Sequence, residues 1–71
     1  MTAVIGKLLT PEELAVRLGM TKSWVYARSR EWDKTGGKRG IPTVKLGRYY
    51  RYREDAIADW ELKVEKGQVA A

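Results

Sequence analysis

Apolar residues recur along this chain at two spacings, and each change of spacing marks an element. Leu14, Ala15 and Leu18 share one face at helical intervals, directly after Thr10-Pro11-Glu12-Glu13. Threonine is a good N-cap, proline suits the first helical position, and Glu13 reaches back to close a capping box. Gly19 takes the left-handed conformation that ends a helix, so the pattern predicts a first helix over Pro11–Leu18. Leu8 and Leu9 lead in, with Leu9 placed to staple onto Leu14. Only Met20 and Thr21 follow before a second start, where Thr21 caps a helix from Lys22 to about Glu31. At about 100° per residue, Val25 centres its buried face, with Ser29 and Trp32 close by. Ser23, Ala27 and Arg30 point the opposite way, with Lys22 at the amino end and Tyr26 on the flank.

The run DKTGGKRG, residues 33–40, has no apolar period and reads as a basic, glycine-bearing loop. Beyond it the spacing drops to two. Thr43–Leu46 and Tyr49–Arg53 alternate as strands around Gly47-Arg48, a glycine-first turn that suits a hairpin. The expected inner face is Val44, Leu46, Tyr50 and Tyr52, and the expected outer face Lys45, Arg51 and Arg53, with Arg48 at the tip. A lone two-stranded ribbon is unstable, so its apolar side must pack on helices. Glu54 and Asp55 then open a third helix, where negative charge suits the dipole. Ile57, Trp60 and Val64 form its buried stripe, Trp60 as a core anchor, and Leu62 lies outside it. Gly67 ends the helix, and residues 67–71 are expected to fray as a tail. A helix, a tight corner and a second helix are the parts of a helix-turn-helix. The fold class is α+β and mainly helical, with a two-stranded hairpin between helices 2 and 3, in a single domain over residues 1–71.

Charge changes the picture from architecture to partner. The net charge is +5, but it is sorted along the chain. Residues 22–53 carry ten Lys and Arg against Glu31 and Asp33, a net +8, and the remainder holds four bases and seven acids, a net −3. Such a middle is the footprint of a polyanion partner. Cysteine and histidine are absent, which removes thiol nucleophiles, imidazole bases and the usual zinc ligands. The carboxylates cluster at helix starts, where the dipole accounts for them, so no enzyme, metal or cofactor is expected. No apolar run reaches membrane-span length, and the first residues lack signal-peptide order, which points to a cytoplasmic protein.

The stretches LLTPEELAVRLGMTKSWVYA and IPTVKLGRYYRYREDAIADW resemble the excisionase-type winged helix-turn-helix family, related to the MerR DNA-binding domain. The resemblance rests on the threonine-x-glutamate-glutamate type start, Val25-Tyr26, Ile41-Pro42, the glycine-arginine turn, Arg51-Tyr52-Arg53 and Trp60. This chain departs from the pattern at Ala27-Arg28, after the valine-tyrosine pair, and in its longer loop. The resemblance implies double-stranded DNA as partner, with the second helix in the major groove and the hairpin, the wing, beside an adjacent groove. On that model Lys22, Ser23, Tyr26, Ala27 and Arg30 contact base edges. Lys38, Arg39, Lys45, Arg48 and Arg51 hold phosphates or a narrow minor groove, with Tyr49 exposed among them. It further implies an excisionase that directs an integrase toward excision, or a small regulator of a mobile element. Copies are expected to self-associate cooperatively on tandem or inverted sites. No small-molecule ligand and no membrane are expected. The competing class is a basic module gripping an acidic protein or stacking single-stranded RNA.

Overall fold

The computed structural model describes residues 8–70. Its elements are β1 (Leu8–Leu9), α1 (Pro11–Leu18), α2 (Lys22–Thr35), β2 (Val44–Leu46), β3 (Tyr49–Arg53) and α3 (Glu54–Glu65). The seven residues before Leu8, and Ala71 at the end of the expected frayed tail, lie outside the described residues.

α1 has the bounds its pattern predicts. Thr10 Oγ1 accepts from the Glu13 amide at 3.1 Å, and Glu13 Oε1 accepts from the Thr10 amide at 2.9 Å, a closed capping box. Gly19 then turns left-handed at φ 66°, and the chain re-enters helix two residues later, with Thr21 Oγ1 accepting from the Trp24 amide. α2 runs one turn beyond the expected end near Glu31. Asp33, Lys34 and Thr35 are helical, and Gly36 is the left-handed cap, so the loop begins there rather than at Asp33. Polar residues carry no apolar period, which is why that last turn reads as loop.

The hairpin is part of a three-stranded antiparallel sheet in the order β1-β3-β2. Leu8 and Leu9, expected only as a lead-in, pair with Arg53 and Tyr52. The expected faces of the ribbon require a larger correction. Leu46 lies opposite Tyr49, Lys45 opposite Tyr50 and Val44 opposite Arg51. Directly opposed residues share a face. Lys45 therefore lies with Tyr50, Tyr52 and Leu9 on the helix side, while Val44 and Leu46 join Tyr49, Arg51 and Arg53 outside. Leu46 is 48% exposed and is not core.

The core comprises Leu9, Leu14, Ala15, Val25, Ile41, Tyr52, Ile57 and Trp60, with Leu18, Trp24, Tyr50 and Val64 packed against it. The three helices and the tyrosine side of the sheet thus meet at one centre. Leu62 lies outside it, as the stripe on α3 predicts. Gly40 closes the loop onto α2 so tightly that a Cβ there would lie 2.2 Å from the Arg28 carbonyl oxygen. That approach, at φ 89°, needs glycine and lets Ile41 reach full burial.

Candidate nucleic-acid interface

α2 buries Val25 and Ser29 and leaves its far side open. Ser23 and Arg30 are exposed there, with Ala27 half-buried between them. Lys34 continues the row one turn on, at a spacing of three and four residues that keeps all four on one face. Sequence reasoning missed Lys34. The signal that marks it is the pair Gly36-Gly37, whose first member is the helix-ending glycine.

Tyr26 is half-buried on the flank of α2, its ring 6.3 Å from that of Tyr50. On the same flank Asp33 takes an ion pair from Lys45 at 3.2 Å. These two contacts seat the wing alongside α2, next to the open row. Tyr26 therefore belongs to the helix–sheet seam as much as to the outer face. Lys45, expected to project outward, reaches back to α2 instead.

Arg48, Tyr49 and Arg51 form one cluster on the wing. The two guanidinium carbons lie 5.7 and 5.8 Å from the Tyr49 ring centroid, and the ring is 56% exposed. Exposed cation–π contacts of this kind are worth about 0.5–1 kcal/mol. Arg51 also donates from Nη1 to the Tyr50 carbonyl at 2.7 Å. These contacts hold two planar cations against one aromatic ring on the wing.

Loop 36–43 is tied to the end of α2. Thr35 Oγ1 donates to the Glu31 carbonyl at 2.8 Å and accepts from the Arg39 amide at 3.0 Å. Arg39 thereby borders a groove of about 440 Å³ on the open side of α2, shared with Ala27, Arg30, Lys34 and Thr35. Lys38 is exposed nearby and lines a separate cleft of about 690 Å³ between the loop and α3, with Trp32 and Trp60.

The cations divide by partner. Lys22 pairs with Glu12 at 3.5 Å, Arg28 with Glu31 at 3.4 Å and Lys45 with Asp33. Hydrogen bonding to backbone at the start of α1, with Lys22 beside it, holds the Glu12 carboxyl below the usual carboxylate range. Arg30, Lys34, Lys38, Arg39, Arg48, Arg51 and Arg53 have no ion-pair partner among the described residues. Uncompensated cations are the ones that attract a polyanion. Among the described residues, no cluster of acids offers a metal site, and no helix is long and apolar enough to cross a membrane.

No curated protein and no solved structure matches the chain. A family model described as "Helix-turn-helix domain" matches residues 8–63. That span runs from β1 into the last turn of α3 and reaches every described element, so the chain belongs to the helix-turn-helix domain family and is a DNA-binding protein of that kind.

Proposed function

We propose that this protein is an excisionase, a non-enzymatic factor that binds attachment-site duplex in the cytoplasm and directs an integrase toward excision. The observation that carries the reading is a wing tied to the flank of α2, beside its open row, through Tyr26–Tyr50 and Asp33–Lys45, with Arg48, Tyr49 and Arg51 clustered on the outer side of that wing. A helix and a basic ribbon held side by side match a major groove and its neighbouring backbone. On this reading Lys22, Ser23, Tyr26, Ala27 and Arg30 face base edges, and Arg48, Arg51, Lys38 and Arg39 hold the backbone. Lys22 contributes through its alkyl stem and amine only when it leaves Glu12, an exposed pair of small worth. A domain of this size covers few base pairs, so several copies bind cooperatively on adjacent sites. A mobile-element regulator uses the same surface, and reconstituted excision with the cognate integrase separates the two.

The test of the surface is Arg48→Ala. Removing one backbone contact weakens binding to every duplex and lowers the salt slope by about one. Titration on cognate and scrambled duplexes at several salt concentrations reads both. An unchanged affinity and slope would remove the wing from the interface. Better competition by single-stranded RNA than by duplex would favour an RNA-binding module instead.

A further inference from the structure

We infer that the last turn of α2 and the loop after it form a backbone clamp, in which Lys34 and Arg39 grip phosphate beside Arg30. The inference rests on the duplex-binding reading, which gives Arg39 a backbone contact, and adds Lys34 and the groove that joins the two.

Three observations converge on it. First, α2 continues through Thr35, which carries Lys34 onto the same open face as Ser23, Ala27 and Arg30. At 1.5 Å per residue, a helix of 14 residues is about 21 Å long. A straight helix whose amino end lies in a major groove has left the bases by that distance and runs beside the phosphates. Second, the Arg39 amide donates to Thr35 Oγ1, and Gly40 packs against the α2 backbone at Arg28 and Trp32. The loop is thus fixed on both sides of Arg39. Arg39 and Lys34 border one groove of about 440 Å³, with Ala27 the smallest side chain along it. Third, the acid that lines this groove, Glu31, is engaged by Arg28, which lines it too, and Asp33 on the neighbouring flank is engaged by Lys45. Lys34, Arg39 and Arg30 have no such partner among the described residues. A groove holding three unneutralised cations takes an anion, and along a bound duplex the available anion is the phosphodiester.

The clamp supplies affinity without sequence preference, since phosphate carries no base identity. Each neutralised phosphate contributes about 0.9 to the salt slope, which is about fivefold in affinity near 0.15 M salt.

Lys34→Ala and Arg39→Ala test the clamp by titration on a selected duplex and on a scrambled one, at three salt concentrations. Each variant should lose about fivefold on both duplexes and about one unit of salt slope, with base preference unchanged. Lys34 and the Arg39 side chain are exposed and hold no other group, so thermal unfolding should match the parent. A parent that binds the selected duplex while both variants keep its affinity and slope would overturn the clamp alone. A loss confined to the selected duplex would overturn it too, by making these residues base readers. A parent that fails to bind any duplex would instead overturn the duplex reading on which the clamp rests.

Discussion

Ser29 carries one hydroxyl proton and gives it to the carbonyl of Val25 at 2.8 Å. Its oxygen is then left to accept, so the Tyr52 hydroxyl donates to it at 2.5 Å. Both side chains are fully buried, and this pair ties α2 to the central strand. Burial pushes the Tyr52 hydroxyl above its ordinary value, opposed only in part by Ser29, whose proton can turn from the Val25 carbonyl to the phenolate once Tyr52 ionises. A phenol whose folded value lies above its unfolded one, about 10, adds stability that is complete below that pH. The contribution is lost as pH rises from there through the folded value. Parent stability by urea unfolding should therefore fall above about pH 10, and Tyr52→Phe should remove that part of the decline. The variant should cost about 1 kcal/mol at neutral pH. Parallel pH profiles for parent and variant would place the alkaline loss elsewhere. The sequence reading puts Ser29 on the buried face of α2 but does not reveal its partner. That pairing spans 23 residues and depends on which strand lies at the centre of the sheet.

The hairpin shows how an element can be legible in its bounds and illegible in its faces. Alternation predicts both strands and the turn at Gly47-Arg48, and sorting apolar from basic residues then groups Val44 and Leu46 with the tyrosines. A turn of two residues forces the residues flanking it to oppose each other, so Leu46 follows Tyr49 to the outer face. Register outranks hydrophobicity here because β2 is an edge strand of three residues with little apolar area to bury. Leu46→Ser should accordingly change stability by less than about 0.5 kcal/mol. Burial on the tyrosine face would instead make this substitution cost several times more. Urea midpoints at unchanged slope distinguish these outcomes. α1 lies at the other extreme. Its cap, its proline and its glycine stop are all local chemistry, and its bounds are readable without tertiary information. α2 falls between them: its start is a local cap, but its last turn is held by Thr35 and Gly36 with no apolar residue to announce it.

Net charge describes the molecule less well than the pairing of its charges. Residues 22–53 hold ten cations, and the two acids among them engage Arg28 and Lys45, while α1 lends Glu12 to Lys22. Seven remain uncompensated among the described residues, spread along the open side of α2, its loop and the wing. The total is visible in the sequence, but the pairing depends on the correct hairpin face, since only a Lys45 turned toward the helices meets Asp33. On the proposed duplex-binding reading, this makes Asp33 a brake on binding. Asp33→Asn removes the carboxylate and frees the Lys45 amine at the seam between α2 and the wing. The pair is half exposed on both sides, so its loss should leave stability nearly unchanged. Asp33 also sits in the last turn of α2, where a negative charge opposes the dipole, so neutralising it carries no helical cost. Affinity for duplex should rise by up to about fivefold near 0.15 M salt, equally on selected and scrambled sequences. The gain should shrink as salt is raised, because a freed surface cation acts through a screened field. Titration at low and high salt checks both features, and an Asp33→Asn protein that binds no better at low salt would mean that the seam between α2 and the wing lies away from the backbone.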